Sequence, residues 1–278
     1  MDSLISGSIA GIVADVATHP LGTVKTRLQV QGASASSLQR YGGVAQGLTR
    51  IISREGVGAL YKGVGVVVAT AAPAQGLFFL GNDTARSSLR PHMPAAAASF
   101  AAGCVAQLCG SLCWVPMDTV KERLQVEGQL KRGSKAELGG SWNAVRTILR
   151  REGLRGFYPA YWVHQATWAP FNGLFFAIYE ACKEYTNGLC SGVVAGVAAG
   201  FLTNPMDLVK TRLQVMRADP STFAYAGAFD CVGQILRREG PLAFLDGAIA
   251  RCATVAPRLT ICVLVKDAIA PGVKEALG

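Results

Sequence analysis

The residues in this chain best suited to chemistry are charged groups set at fixed distances from prolines. Lys25, Lys121 and Lys210 each lie five residues after a proline, and Asp118 and Asp207 lie two after theirs. An acid and a base three apart share one helix face, so the chemistry on offer is reversible ion pairing. Gly22 takes the acid's place in the first copy. Asp15 is a different kind of group, an acid inside an otherwise apolar stretch, where an unpaired charge is costly and marks a functional position. No nucleophile with a base, HExxH or paired-carboxylate arrangement is visible, so no enzyme activity and no catalytic residues are expected. Metal-ligand spacing is likewise missing, and His19 has no acidic or ligand-spaced neighbour.

The composition says what kind of body positions these groups. Of 278 residues 50% are hydrophobic and only 16% charged, with mean hydropathy +0.30, whereas a soluble domain has about 25% charged residues. The net charge of +9 fits nucleic acid, a membrane surface or an acidic ligand. Six stretches approach the roughly 20 apolar residues that cross a bilayer: 3–21, 64–80, 94–117, 159–179, 186–206 and, interrupted by Arg251, Arg258, Lys266 and Asp267, 248–270. Interrupted stretches of this kind suit a bundle with a polar inner face. Cys104, Cys109, Cys113, Cys190, Cys252 and Cys262 lie in apolar stretches without CxxC spacing and are expected to be reduced, buried filler. The first residues, MDSLISGS, lack the basic region of a signal peptide and the Arg-rich pattern of a transit peptide, so any targeting is expected to be internal.

The chain repeats itself. PLGTVKTRLQ begins at Pro20, PMDTVKERLQ at Pro116 and PMDLVKTRLQ at Pro205. Glu55-Gly56, Glu152-Gly153 and Glu239-Gly240 follow, and 18 residues beyond each of those glutamates stands Pro73, Pro170 or Pro257. Each unit therefore reads as an apolar helix with a proline, a basic connection, and a second apolar helix with its own proline. The expected fold is an all-α membrane protein of six transmembrane helices, as three pseudosymmetric units (1–92, 93–186 and 187–278) around a central cavity. Prolines kink helices, which would let the tilted helices converge. Gly7/Gly11, Ala102/Ala106/Gly110 and Gly192/Gly196/Gly200 have the spacing for close helix contact. Twenty of the 27 basic residues fall in the three long connections, against nine acids, so those connections share one compartment and both termini face the other. This placement accounts for the basic charge without nucleic acid, and no nucleic-acid-binding pattern accompanies it.

The repeated pattern resembles that of the mitochondrial carrier family, Pro-x-[Asp/Glu]-x-x-[Lys/Arg]-x-[Lys/Arg] followed by a Gly-containing second motif, over essentially the whole chain. The resemblance implies a six-helix inner-membrane transporter with a central substrate site and alternating gates, acting as a monomer in the lipid bilayer, with its termini toward the intermembrane space. On that basis the matrix gate comprises Lys25, Gln29, Asp118, Lys121, Gln125, Asp207, Lys210 and Gln214. The family arrangement pairs Asp118 with Lys210 and Asp207 with Lys25 and leaves Lys121 without a cross-repeat partner, the glutamines bracing the ring. The cytoplasmic gate comprises Asp83, Arg86, Tyr179, Glu180, Lys183 and Asp267, weakened because Ala270 replaces a cation and Asn82 and Lys266 replace aromatics. The second motif is intact at Glu55-Gly56 through Tyr61-Lys62-Gly63 and decayed in the other two copies. In the family these segments hold cardiolipin, which is the expected bound lipid, with no other cofactor.

Substrate contacts carried over from the family are Thr70/Ala71, Thr167/Trp168 and Thr254/Val255. The second pair lacks the Arg-acid signature common in amino-acid carriers, which argues against a simple transfer of their substrates; Trp168 could stack on a planar or cationic group. Asp15 is read as a contact for a cationic substrate group, with a structural partner such as Arg251 as the alternative. Gln75 and Asn172 are neutral hydrogen-bonding positions. Arg251 could bind a carboxylate while Asp15 takes an amine, which would suit a zwitterion, or it could belong to the closed-state network; His164, in the equivalent slot, reads as structural. Partial resemblances to S-adenosylmethionine, basic amino-acid and carnitine carriers point to a small cation-bearing metabolite. A nucleotide, keto acid or metal-ion carrier, or a transport-inactive scaffold, is the alternative.

Overall fold

The computed structural model describes residues 2–33, 40–130, 138–218 and 223–277. Lys131, Arg132 and Lys135, counted above in the second basic connection, lie outside the described residues. The described chain is helical throughout: α1 (Asp2–Val30), α2 (Val44–Glu55), α3 (Val64–Leu89), α4 (Ala95–Leu130), α5 (Ser141–Glu152), α6 (Tyr161–Cys182), α7 (Gly188–Leu202), α8 (Asn204–Val215), α9 (Ala228–Arg238) and α10 (Ala248–Leu277). Each repeat runs long helix, short helix, long helix. In the third repeat the first long arm breaks into α7 and α8 with a 64° bend. The bend falls at Thr203, whose Oγ1 donates to Ala199 O at 2.7 Å, just before Pro205, which cannot donate a helical hydrogen bond. Pro20, Pro73, Pro116, Pro170 and Pro257 stand inside helices that continue through them.

Helices α3 and α4, α6 and α7, and α10 and α1 pack side by side between repeats, and within repeats α1 meets α3, α4 meets α6 and α7 meets α10, so the six arms close into a ring. Among the described residues, by length and apolarity alone only Val57–Leu89 and Pro241–Ile269 qualify as spans, with the bent pair Gly188–Leu202 and Asn204–Val215 as a third. The other arms carry polar residues on their inner faces, Lys25 and Arg27 in α1, Asp118 to Arg123 in α4, His164 and Asn172 in α6. Sixfold spanning is therefore carried by the threefold repeat more than by hydropathy. The short helices α2, α5 and α9 are amphipathic and bury residues four apart, Gly47 and Ile51, Ala144 and Ile148, Cys231 and Ile235. They cover the ends of the long arms.

Two expectations need correction. All eight cysteines are free, but Cys104 and Cys190 are exposed, and of the eight only Cys231 is buried. An apolar stretch of a spanning helix has an outer face that meets lipid, so apolar context does not imply protein burial. A Cβ on Gly196 would come within 2.4 Å of Leu259 Cδ1 and one on Gly81 within 2.8 Å of Cys109 Sγ, which marks real close approaches of α7 to α10 and α3 to α4. Gly7, Gly11 and Gly192 face open space and make no such contact.

Candidate functional site

Where the three connections meet, the C-terminal halves of α1 and α4 and the whole of α8 converge. Lys25 Nζ lies 2.5 Å from Asp207 Oδ2, and Lys210 Nζ donates to Asp118 Oδ2 at 2.9 Å. Both pairs join different repeats. Lys121, facing the gap at Gly22, turns to Asp118 of its own helix at 2.7 Å. The glutamines nine residues after each proline complete the layer. Gln29 Nε2 donates to Asp207 Oδ2 at 2.9 Å and its Oε1 accepts from Thr211 at 3.0 Å. Gln125 Oε1 accepts from Thr26 at 2.9 Å. With its amide nitrogen turned toward Glu122, Gln214 donates to Glu122 Oε2 at 2.6 Å.

Beyond this layer lies a threefold clasp that sequence reasoning missed. Arg27, Arg123 and Arg212, seven after their prolines, fork onto Glu55, Glu152 and Glu239 of their own repeats. Each Nε also reaches the backbone of the next repeat: Arg27 to Gln125 O at 2.8 Å, Arg123 to Gln214 O at 3.1 Å and Arg212 to Gln29 O at 3.0 Å. The bidentate fork is the geometry arginine offers a carboxylate. The signal was in the sequence, since both residue types recur at fixed offsets. The turn glycines serve the same approach: Gly63 and Gly247 have φ of 89° and 77°, and a Cβ there would press on Lys121 Cα or Gln29 Cγ. Ala160 stands at the corresponding place in the second repeat with φ of −124°.

Toward the interior, the partner of Asp15 is Arg258, not Arg251; Arg258 Nε donates to Asp15 Oδ1 at 2.5 Å, and both side chains remain partly exposed. The two arginines lie seven residues apart, on nearly the same face of α10 and about two turns apart along its axis, and residue spacing alone does not fix which one lies level with Asp15. Arg251 is 6% exposed; its Nη1 is 3.8 Å from Asp207 Oδ2, lacks a hydrogen-bond partner, and its guanidinium lies 5.7 Å from the Phe171 ring centroid of the second repeat. His164 occupies the equivalent slot, 2% exposed, with Nδ1 3.7 Å from Asp118 Oδ2 and neither ring nitrogen hydrogen-bonded. Val67 fills that slot in the first repeat, the repeat in which Gly22 takes the acid's place. A polar residue thus stands over each acid of the layer, and an apolar one where the acid is missing.

Thr70, Thr167 and Thr254 each donate their hydroxyl to the carbonyl four residues back at 2.7 Å. Their protons go to the helix backbone, which leaves each hydroxyl oxygen only lone pairs to offer. Ala71 and Val255 are half-buried beside them, as is Gln75, and Asn172 is exposed. Trp168 begins an aromatic run along α6, with Trp168 to Phe171, Phe171 to Phe175 and Phe175 to Tyr179 at centroid distances of 5.3, 6.3 and 6.2 Å. His19 Nε2 donates to Lys62 O at 3.0 Å and anchors the start of α3.

At the opposite end Asp83, Arg86, Glu180, Lys183 and Asp267 are all exposed. Glu180 and Lys183 pair within α6, and among the described residues no ion pair joins these positions across repeats. A surface groove of about 440 Å³ at the basic end is lined by Leu154, Arg155, Tyr158, Pro159 and Arg217. No group of three or more metal-ligating side chains occurs among the described residues.

The sequence profile described as "Mitochondrial carrier protein" matches residues 1–93, 92–188 and 185–275. The chain is 36% identical over 276 residues to mitochondrial substrate carrier family protein E of Dictyostelium discoideum, covering 91% of this chain and 90% of that protein. It is 29% identical to human mitochondrial glutamate carrier 1, covering 94% of this chain and 91% of that one. A human electrogenic aspartate/glutamate antiporter is 32% identical over 92% of this chain and 38% of its own length.

Proposed function

The chain belongs to the mitochondrial carrier family, and from that membership we propose that it carries a small hydrophilic metabolite bearing both a cationic amine and a carboxylate across the mitochondrial inner membrane by alternating access. The substrate part of this reading rests on Arg251. A buried guanidinium with one nitrogen unpartnered, 3.8 Å from a gate carboxylate, offers a hydrogen bond to an incoming anion. Asp15 sits in a half-exposed pair with Arg258 and can exchange that partner for a substrate amine. Trp168 and Phe171 supply faces for a cation. The names of the relatives, a glutamate carrier and an aspartate/glutamate antiporter, support an amino-acid-like substrate. Thr167/Trp168 leaves open which one.

In this reading Lys25, Gln29, Asp118, Lys121, Gln125, Asp207, Lys210 and Gln214 form the matrix gate, engaged here. Asp83, Arg86, Tyr179, Glu180, Lys183 and Asp267 form the cytoplasmic gate, disengaged here, and both termini face the intermembrane space. The groove beside Arg155, Tyr158 and Arg217 is proposed to take a cardiolipin phosphate, and the monomer is the working unit.

The test is uptake of labelled solutes by liposomes containing the purified protein: glutamate, aspartate, lysine, carnitine, S-adenosylmethionine, a nucleotide and a keto acid. Saturable uptake of a zwitterion, lost on Asp15→Asn or Arg251→Gln, is the expected result. Uptake confined to the nucleotide or keto acid, or undiminished in both variants, would overturn the substrate reading, and no flux of any solute from folded protein would favour a scaffold.

A further inference from the structure

Six residues after the first proline of each repeat stand Thr26, Glu122 and Thr211. In two seams the threonine hydroxyl donates to the glutamine carbonyl oxygen of the next repeat, Thr26 to Gln125 and Thr211 to Gln29. In the third, the seam between repeats two and three, the roles reverse. Glu122 can only accept when ionised, and the Gln214 amide nitrogen donates to its Oε2 and Oε1 at 2.6 and 3.2 Å. Glu122 is 2% exposed and its Oε1 lies 3.6 Å from Lys210 Nζ. A carboxylate taken out of water in place of a threonine is costly unless a cation matches it.

The match is the gap at Gly22. Three lysines, Lys25, Lys121 and Lys210, face only two carboxylates at the usual places, and Asp118 is shared between Lys121 and Lys210. Glu122 restores three acids to three lysines. We propose that Glu122 is the third carboxylate of the matrix gate, moved from position 22 of the first repeat to one turn beyond Asp118 in the second. The second repeat then supplies two acids, the first none, and between repeats one and two the positions of the layer itself meet through hydrogen bonds, Thr26 to Gln125, Arg27 to Gln125 O and Gln129 to Arg27 O, with the Lys62–Glu127 ion pair at 3.0 Å joining the same two repeats away from those positions. This inference rests on the gate reading of the preceding subsection.

A double-mutant cycle tests it. A Cβ on Gly22 would meet nothing within 4 Å, so Gly22→Asp is sterically allowed. Four forms of the full chain in detergent, wild type, Glu122→Thr, Gly22→Asp and the double variant, are compared by thermal unfolding midpoint and by glutamate uptake in liposomes. Glu122→Thr is expected to lower the midpoint by about 2–4 °C, and Gly22→Asp to restore most of that loss while adding less to the wild type. Additive effects of the two changes, or no loss on Glu122→Thr, would overturn the proposal. Asp207→Asn, which removes the partner of Lys25, separates the two levels. A lowered midpoint in Asp207→Asn with additivity in the cycle refutes the role of Glu122 alone. An unchanged midpoint in Asp207→Asn refutes the gate itself and this inference with it.

Discussion

At the positions that recur between repeats, each end of the bundle carries five charged residues, Lys25, Asp118, Lys121, Asp207 and Lys210 at one and Asp83, Arg86, Glu180, Lys183 and Asp267 at the other, and the two ends use them differently. At the basic end Asp118, Asp207, Lys210 and Glu122 are each no more than 6% exposed and are bonded across repeats. At the other end the side chains of Glu180 and Lys183 are 60% and 46% exposed, and they pair within one helix. A pair within a helix costs little and fastens nothing. A pair between helices, out of water, holds them together and penalises removal of either member. The molecule is thus fastened by cross-repeat pairs at one end with the other end's charges solvated, and in the transport cycle proposed above those solvated acids and bases are the groups that would close it.

The largest effect should come from the clasp. Arg212 has a fully buried side chain, forks onto Glu239 and reaches Gln29 O. Arg212→Ala leaves that carboxylate without its cation and should cost about 3–5 kcal/mol, read as a fall in the unfolding midpoint of roughly 10 °C. A change of less than 2 °C would mean that the basic end is no tighter than the other. Next in size is Arg251→Gln. It should cut uptake of a zwitterionic solute roughly tenfold, equivalent to about 1.4 kcal/mol. The midpoint should move little, because the ion contact to Asp207 is 3.8 Å and Nη1 has no hydrogen bond to lose. Equal loss of stability and uptake would make Arg251 a part of the lock.

The difference between the ends also explains what could be read from the sequence. The six arms, the three units and the charged layer were legible because symmetry repeats them at fixed offsets, and a recurring pattern survives ignorance of packing. The departures from symmetry were not. That Asp15 meets Arg258 and not Arg251 depends on how far α10 is shifted along its axis against α1, two helices more than two hundred residues apart. The role of Glu122 depends on an absence elsewhere, at Gly22, and on which way the Gln214 amide turns. The three threonines recur and were legible as positions, yet their hydroxyl protons go to the backbone, a choice that the residue type leaves open and the helix geometry decides. The exposure of Cys104 and Cys190 was hidden because hydropathy does not separate lipid from protein interior.

A smaller effect sharpens the same contrast. Cys231 on α9 sits beneath the basic end against Leu208, Leu213 and Ile235, and burial pushes its thiol from the usual 9.0 up to about 12. Because the folded value is the higher one, the neutral thiol favours the folded state. Its contribution is complete below pH 9 and is lost as the pH rises from 9 toward 12. Stability should therefore decline across that window, and Cys231→Ala should flatten the decline while paying a cavity cost at neutral pH. At pH 8 a maleimide should leave Cys231 unmodified in the folded protein and react with it only after unfolding, since the thiolate is the nucleophile. Modification of Cys231 in the folded chain at pH 8 would show that α9 lifts off the converging helices, and the basic end would then be a dynamic closure, comparable to the solvated charges opposite it.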